Sequence, residues 1–408
     1  MLLSSFYFIS KFIPTMLCYV KNMEVPMTGK QINPKLIQAL TNQPLTDIPA
    51  SPSFKHLSGK YVKLIVDKLK KIESLQPKNE MVMKCGECGR SGKYNIGIVA
   101  ISVENGKKKS QQLSGYFRCK HCNAGGPWVK SPELLMFTMT ALMAPQQNLP
   151  VHFGQIQLSD GYKPPYATDG EEHYLELIAA TPKNALLWNK LGNHYLTGAR
   201  PELAMAAFEK SIKLDPYQIE SHISIANLLM QLGNYKKAIF HLHQMMIGAE
   251  AYSHLEVTHL RELLAHGICT SFIASFKSKN KFNALPTEQQ LTQAGRTVDL
   301  QLDKIPRNLT LSSENIATFY PLAEAFMGAH AQQLYQQSNT KKPQQLGKKS
   351  QQIEAFINEQ QGLFTKADIQ QACPDVSLAT ITKVVRELRK ASVIEMTGIG
   401  ADIQWYRK

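Results

Sequence analysis

Asn184–Pro216 reads NALLWNKLGNHYLTGARPELAMAAFEKSIKLDP, and this segment fixes the architecture of the middle of the chain. Its large and small residues recur after a shift of 34 positions. The first copy carries Trp188, Leu191, Gly192, Tyr195, Ala204 and Phe208, and the second carries His222, Ile225, Ala226, Leu229, Ala238 and Leu242. Small residues at matched positions let two helices approach closely, so the segment predicts stacked pairs of helices.

The segment resembles a tetratricopeptide repeat, with Pro216 closing the pattern. A step back of the same length reaches Pro182, which ends a preceding half repeat. Because two repeats bury too little core, we expect Glu256–Phe276 and Asn315–Gln337 to supply degenerate repeats or a cap. The resemblance implies an α-solenoid over residues 171–337.

The inner surface of such a solenoid usually receives an extended peptide or a partner helix. Asn193 and Asn227 occupy equivalent inner positions, where an asparagine amide can pair with a peptide backbone. An ordinary polar surface explains these residues equally well. The candidate contacts for a protein or peptide partner are Asn189, Asn193, Asn227, Met230 and Gln231.

Four of the seven cysteines form two CxxC pairs, Cys85–Cys88 and Cys119–Cys122. Each pair places two thiolates around a tight turn, and four thiolates form the tetrahedral set that Zn²⁺ prefers in structural sites. The segment between the pairs holds β-rich runs, Tyr94–Val103 and Leu113–Arg118, on either side of the hairpin signal Asn105-Gly106. The arrangement resembles a zinc ribbon and predicts one structural zinc ion on Cys85, Cys88, Cys119 and Cys122.

Other chemistry is compatible with clustered cysteines. A redox pair needs a single CxxC at the start of a helix, which differs from two facing turns. An iron–sulfur centre also uses four thiolates, and the sequence alone does not separate it from zinc. We interpret His121 as facing solvent. The remaining cysteines are scattered, which indicates reduced thiols and a cytoplasmic location; they are Cys18, Cys269 and Cys373.

The chain has 408 residues and a formal net charge of +14, which favours a polyanionic partner. Between Lys55 and Lys130 there are 16 Lys and Arg residues against 5 Asp and Glu, so most of the excess surrounds the cysteines. Lys107, Lys108 and Lys109 form the tip of the expected hairpin. They are candidate contacts for nucleic acid or for a protein partner.

The apolar segment Met1–Val20 has features of a signal peptide or a membrane anchor. However, Lys11 and Pro14 interrupt it, and no basic stretch precedes it. We expect no membrane association. We interpret the segment as an extension upstream of a start at Met16, Met23 or Met27.

Composition divides the chain into seven segments. Stretches rich in Pro, Gly and polar residues lack the apolar periodicity of a core, and we interpret them as linkers. The predicted segments are an N-terminal extension (1–27), a basic amphipathic helical segment (28–80), the zinc unit with a closing helix (81–143), a linker (144–170), the solenoid (171–337), a second linker (338–349) and a C-terminal unit (350–408).

The C-terminal unit combines three predicted helices with two β-runs, Val393–Met396 and Ile403–Tyr406, which glycines join. Ile381, Val384 and Leu388 give the third helix a buried stripe. This order resembles a winged helix-turn-helix domain, which implies that the third helix enters the major groove of duplex DNA. The resemblance assigns DNA contacts to Ala379, Thr382, Lys383, Arg386 and Lys390.

The sequence therefore predicts a mainly α, multidomain, non-enzymatic protein that regulates transcription on DNA and carries structural zinc. It contains no P-loop, dinucleotide fingerprint or nucleophile–base pair, and we infer no small-molecule substrate. Lys348–Lys408 carries nine Lys and Arg against seven Asp and Glu, a modest excess for a DNA-binding unit. The alternatives are an adaptor whose three units all bind proteins, and an RNA-associated factor.

Overall fold

A computed structural model describes residues 31–104, 107–143, 149–296, 310–340, 348–360, 362–390, 393–397 and 404–407. The predicted extension 1–27, the Asn105-Gly106 turn and the glycine turn of the C-terminal hairpin lie outside these residues. The chain divides into two compact units, Met1–Ala331 and Gln332–Lys408. The described chain is mostly helical with a small β region. None of its helices combines the length and hydropathy that a membrane span needs.

The N-terminal segment of the described chain contains two short helices instead of the single basic helix predicted within 28–80. They are α1 (Pro34–Thr41) and α2 (Val62–Asp67). Prolines between them lack the backbone N–H that a continuous helix requires; these are Pro44, Pro49 and Pro52. The segment therefore bends repeatedly and follows the surface of its neighbours.

The β region of the first unit has six strands in two sheets. The strands are β1 (Glu80–Cys85), β2 (Ser91–Asn95), β3 (Val99–Glu104), β4 (Lys107–Leu113), β5 (Trp128–Val129) and β6 (Val151–Phe153). One sheet has the order β2-β1-β5 and the other has the order β4-β3-β6. Strands β3 and β4 pair antiparallel, as the hairpin signal between them predicts.

Helix α3 (Pro132–Met143) follows β5, as predicted, and helps to cover a hydrophobic core. Tyr94, Phe117 and Trp128 pack their rings against one another at the centre of this core. Two cysteines of the CxxC pairs, Cys85 and Cys119, also belong to it. The buried members are Met81, Met83, Cys85, Tyr94, Ile96, Val99, Ile101, Leu113, Phe117, Cys119, Trp128, Leu134 and Ala141.

The β-run predicted over Tyr94–Val103 splits into β2 and β3, which belong to different sheets. Gly97 lies at the break with φ +67°, a conformation that glycine adopts without steric cost. A Cβ atom there would lie 2.7 Å from the backbone nitrogen of Gly115, so a side chain does not fit. The returning strand ends at Leu113 and does not reach Arg118, because the chain then turns towards the repeat region.

Residues 149–166 pack on the second sheet, although the composition of 144–170 predicts a linker. Strand β6 pairs in parallel with β3. The buried Gln112 side chain donates to the carbonyl oxygens of Ile156, at 2.7 Å, and Pro164, at 2.9 Å. It also accepts the Ile156 amide at 2.8 Å, so its own polar atoms are satisfied. The prolines and glycines of this stretch therefore form turns beside an edge strand.

The repeat region consists of antiparallel helices. Its helices are α4 (Ala167–Ala180), α5 (Ala185–Thr197), α6 (Pro201–Leu214), α7 (Ile219–Gln231), α8 (Tyr235–Gly248), α9 (Val257–Lys277), α10 (Glu288–Gln293) and α11 (Tyr320–Met327). The next helix, α12 (Ala329–Thr340), begins in the first unit and continues into the second. The pairs α5–α6 and α7–α8 pack closely. A Cβ atom on Gly192 would clash with the Phe208 ring, which is why the pattern needs a small residue there.

The N-terminal segment lies along α4 and along the second helices of these pairs. Helix α1 packs against α4 and α2 packs against α6. The Lys210 ammonium donates to the Leu40 carbonyl at 3.3 Å, and the Tyr61 hydroxyl lies 3.2 Å from Nε2 of His241. These contacts cover one side of the repeat helices with the protein's own chain.

Glu209 is a half-buried residue whose Oε2 is fully buried beneath this segment. Its Oε1 accepts the backbone N–H of Tyr61 at 2.9 Å, and its Oε2 has no hydrogen-bond partner within the described chain. Burial raises the pKa of the Glu209 carboxyl from 4.5 to about 7, against the opposing effects of backbone amides and of the Lys60 and Lys237 charges. The folded protein therefore prefers this carboxyl protonated.

We expect Glu209→Gln to remove a pH dependence of stability. A raised folded-state pKa means that the carboxyl contributes stability below its unfolded pKa of 4.5 and loses it as the pH rises through about 7. Between about pH 5 and about pH 8, the free energy of unfolding of the wild type should fall by about 2 kcal/mol relative to that of the variant. Urea unfolding of both proteins measures this shift, and parallel stability curves would contradict it.

Beyond α12, the described part of the second unit has three helices and a short hairpin. Its elements beyond α12 are α13 (Lys348–Glu359), α14 (Lys366–Ala372), α15 (Leu378–Lys390), β7 (Ile394–Thr397) and β8 (Gln404–Arg407). Strands β7 and β8 pair antiparallel, and Phe364 bridges to Trp405. Thr365 caps α14 by accepting the Asp368 amide. The core contains Ile353, Ile357, Phe364, Ile369, Cys373, Val376, Ile381, Val384, Val385, Ile394 and Trp405.

Candidate metal centre and interaction surfaces

The two CxxC turns have the same backbone geometry. The Cys85 amide donates to the Arg90 carbonyl and the Gly89 amide donates back to the Cys85 carbonyl, at 2.9 and 3.0 Å. The second turn repeats both bonds. The Cys119 amide donates to the Ala124 carbonyl, and the Asn123 amide donates to the Cys119 carbonyl. The fourth residue after each first cysteine has positive φ, which Gly89 and Asn123 both tolerate.

These turns bring the four predicted ligands together. The sulfurs of Cys85 and Cys122 lie 3.7 Å apart, those of Cys88 and Cys119 lie 3.6 Å apart, and all four lie within 4.8 Å of one another. A tetrahedral ion with bonds of about 2.3 Å to sulfur places its ligands about 3.8 Å apart. The donor set therefore fits one metal ion, and the clustering predicted from the sequence is confirmed.

Residues around the cysteines hold the sulfur ligands in place but are not ligands themselves. The His121 amide lies 3.4 Å from the Cys119 sulfur, while the exposed His121 ring lies 3.4 Å from the Arg90 guanidinium. Cys85 and Cys119 are buried, and Cys122 is exposed. Four thiolates complete a tetrahedral shell and leave no open position, so the site is suited to a structural ion.

A buried carboxylate connects the cysteine turns to the repeat region. Glu171 on α4 is fully buried, and its Oε2 accepts the Arg118 guanidinium at 2.8 Å. Its Oε1 accepts the hydroxyls of Tyr195, at 2.6 Å, and Tyr116, at 2.9 Å. Asn33 donates to Oε2 at 3.0 Å. One carboxylate thus holds residues from the zinc unit, the repeat region and the N-terminal segment.

The environment of this carboxylate keeps its partners as donors. Burial, followed by the nearby Glu171 charge, raises the pKa of both the Tyr116 and the Tyr195 hydroxyl, so each stays protonated. Arg118 also donates from Nε to the Asn123 carbonyl at 2.9 Å. Because Asn123 belongs to the second cysteine turn, the ion pair positions that turn directly.

Sequence reasoning missed Glu171, yet a signal exists. Tyr174, Leu175 and Ile178 form the buried stripe of α4, and Glu171 continues this stripe towards its N-terminus. A charged residue on an apolar stripe indicates a buried partner. The sequence does not identify Arg118 as that partner, because the two residues lie 53 positions apart.

The three hairpin lysines have different surroundings. Lys109 forms an ion pair with Glu104 at 2.8 Å. Lys108 donates from Nζ to the side-chain oxygen of Gln111 at 2.9 Å. For Lys107 the structure describes only the backbone, in β4. Lys108 and Lys109 therefore have different partners, and contact of the three lysines with nucleic acid or protein stays a prediction.

The predicted partner-binding residues of the repeats divide into two groups. Asn189 is buried and donates to the Ser221 hydroxyl at 3.0 Å, and Asn193 donates to Asn189 at 3.2 Å. Asn227 and Met230 are half-buried, and the exposed Gln231 accepts the Glu73 amide at 2.9 Å. The structure therefore gives Asn189 a packing role between repeats and engages Gln231 with the N-terminal segment.

Helix α15 has two distinct faces. Ile381, Val384 and Val385 are buried in the core of the second unit. The predicted contact residues with described side chains are all exposed: Ala379, Thr382, Lys383 and Arg386. The side chain of Lys390 lies outside the described part of the chain.

Residues 185–218 match the family model described as the tetratricopeptide repeat. This match confirms the repeat predicted from Trp188 to Pro216, and it defines a protein-interaction module within the chain. None of the curated proteins matches this chain, and neither does any solved structure.

Proposed function

We propose that the protein is a non-enzymatic, DNA-associated regulator of transcription in the cytoplasm. In this proposal α15 binds duplex DNA, the repeat surface binds a protein or peptide, and Cys85, Cys88, Cys119 and Cys122 hold a structural zinc ion. The observation that carries it is the exposed face of α15, where Thr382, Lys383 and Arg386 lie opposite a fully buried stripe.

The order of elements in the second unit supports the assignment of DNA contacts to α15. Helices α14 and α15 are followed by the β7–β8 hairpin, and the Phe364–Trp405 bridge adds a third extended segment beside it. This order resembles that of a winged helix-turn-helix domain, whose recognition helix presents small and hydroxyl residues to bases and cations to phosphates. Ala379 and Thr382 would lie against the bases.

The cysteine geometry favours one metal ion over a cluster of several irons, and zinc is the ion that we propose. Sulfurs within 4.8 Å of one another surround a single ion, whereas a cluster of several irons would lie between more widely separated thiolates. When bound, the ion cross-links the two turns. Cys85 ends β1 and pairs with Trp128 of β5, so the cross-link also fixes the first sheet.

The repeats support a protein partner on the helices that the N-terminal segment leaves uncovered. Asn193, Asn227 and Met230 remain half-exposed on α5 and α7, the first helices of their pairs. Asn193 and Asn227 occupy equivalent positions in successive repeats, a spacing suited to an extended peptide backbone. Asn189 would support this surface from beneath through its bond to Ser221.

DNA binding is tested with a labelled mixed-sequence duplex and the full-length protein. We expect Lys383→Ala with Arg386→Ala to weaken binding about tenfold or more at low salt, and to lower the slope of log affinity against log salt by about 2. The physical reason is the loss of two phosphate contacts and of the counterions that they release. Fluorescence anisotropy across a salt series measures both quantities.

Lys349→Ala is a matched control for Lys383→Ala, because it removes one exposed lysine charge from α13 of the same unit. It should leave the affinity for DNA close to that of the wild type. Equal losses for both single variants would indicate nonspecific electrostatics and contradict the role of α15. Undetectable duplex binding by the wild type at low salt would favour the adaptor function, and tighter binding to single-stranded RNA would favour the RNA-associated function.

A further inference from the structure

Two lysine ammonium groups of the zinc unit converge on one neutral amide. The Nζ atoms of Lys108 and Lys130 lie 2.9 Å and 3.1 Å from the same atom, Oε1 of Gln111. Gln111 is 8% exposed, and its Nε2 donates to the Thr138 hydroxyl at 2.9 Å. That bond orients the amide so that its oxygen faces both cations.

The backbone brings these side chains together. In the β3–β4 ladder Ser102 pairs with Ser110 and Val103 pairs with Lys108, so Lys109 is an extra residue without a partner in the register. Such a bulge changes the face on which the following side chains lie. It places Lys108 on the side of Gln111, and Lys109 instead pairs with Glu104.

The pair lacks a compensating carboxylate. Lys35, Lys93 and Lys109 each pair with a glutamate, whereas in the described chain no carboxylate lies within ion-pair distance of Lys108 or Lys130. Burial and then the Lys108 charge lower the pKa of Lys130, which is the expected response of two close cations. Each ammonium has three donors, and Gln111 occupies one of them.

We propose that Lys108 and Lys130, which Gln111 holds together, form an oxyanion site that binds a phosphate group, carried by a nucleic-acid backbone or free in solution. A phosphate would neutralise the two ammonium charges and accept their remaining hydrogens, which are the contacts lysine makes with phosphate. Helix α3 begins two residues after Lys130, and the positive end of its dipole favours the same charge. This site lies in the first unit and is independent of DNA binding by α15.

Variants of the full-length protein separate this site from ordinary surface charge. Lys108→Gln with Lys130→Gln removes both cations. Gln111→Glu keeps both lysines and the side-chain shape but places a carboxylate beside both ammonium groups, which neutralises the charge that would attract the anion. Lys109→Gln is the matched control, because it removes a neighbouring lysine of the same strand that Glu104 already neutralises.

Two probes distinguish the sources of phosphate. Inorganic phosphate is titrated calorimetrically, and a labelled single-stranded oligonucleotide is followed by anisotropy over a salt series. All variants also carry Lys383→Ala and Arg386→Ala, so that the result does not depend on α15. We expect the double lysine variant to lose phosphate binding, or to bind the oligonucleotide about tenfold more weakly with a salt slope lower by about 1 to 1.5.

Loss in the double lysine variant and in Gln111→Glu, with binding retained in Lys109→Gln, supports the site. A response to the oligonucleotide identifies a backbone phosphate, and a response to inorganic phosphate alone identifies a free anion. Binding of neither probe by the parent protein overturns the proposal. An equal loss in Lys109→Gln, or unchanged binding in Gln111→Glu, also overturns it, because bulk charge would then explain the data. Circular dichroism confirms that each variant is folded.

Discussion

Replacement of Cys85 by serine is expected to unfold the first sheet of the zinc unit while the repeat helices remain folded. Cys85 is fully buried at the end of β1, and its thiolate belongs to the four-sulfur cluster. Structural zinc contributes on the order of 10 kcal/mol to the folding of isolated zinc-finger peptides. The free energy lost with one ligand should therefore exceed the stability that the small core around Trp128 supplies.

Hydrogen exchange read out by mass spectrometry measures this effect segment by segment. Amides of β1, β2 and β5 should lose protection in Cys85→Ser and after chelation of the metal, and amides of α5–α8 should keep it. Cys269→Ser is the matched control, because Cys269 is a buried cysteine of α9 outside the cluster. Persistent protection of β1 and β2 after complete metal removal would refute a structural role for the ion.

Glu171→Ala is expected to destabilise the first unit by about 3 to 5 kcal/mol. The substitution leaves the Arg118 guanidinium, which is 7% exposed, without its counter-charge. It also leaves the hydroxyls of Tyr116 and Tyr195 without an acceptor in a buried site. Urea unfolding followed by circular dichroism gives the loss in free energy of unfolding.

Glu172→Ala controls for the loss of a glutamate from the same turn of α4. Glu172 pairs with Lys35 at 2.7 Å, but both side chains are partly exposed, so the expected loss is about 0 to 1 kcal/mol. Similar losses in free energy of unfolding for Glu171→Ala and Glu172→Ala would contradict a larger contribution from the buried network. We also expect Glu171→Ala to weaken metal retention, because Arg118, the ion-pair partner of Glu171, positions the turn that contains Asn123.

The local elements were the most predictable part of the fold. The helical pairs at Trp188 and Ile225 follow from a repeated pattern of large and small residues, and the metal cluster follows from ligand spacing. Both signals lie within short segments. They are predictable because hairpin turns and helix contacts form between residues close in sequence. The helix at 132–143 and the buried stripe of α15 were predictable for the same reason.

Three expectations failed because composition does not encode tertiary neighbours. Residues 149–166 have the composition of a linker, but a sheet edge and the Gln112 side chain provide partners for their backbone. The lysine-rich N-terminal segment has helical spacing, but prolines break it and the repeat helices provide its packing surface. The run at Tyr94–Val103 bends at Gly97 because Gly115 lies against it.

The candidate sites show the same division. The sequence identified all four cysteines and the exposed face of α15, since each depends on local spacing. It did not identify Lys130 as a neighbour of Lys108, because the bulge at Lys109 and the position of Gln111 decide where the Lys108 side chain lies. It also treated Asn189 as a surface residue, although the next repeat buries it.

The sequence by itself determined the repeat helices, the two CxxC turns and the faces of α15, because periodicity and cysteine spacing act between residues close along the chain. Only the tertiary structure decided how these parts join. Asn33 and Arg118 reach Glu171 across 138 and 53 residues, and burial makes that carboxylate a strong constraint. A charge gains this importance only when folding removes water from it and provides its partners, which no local pattern specifies.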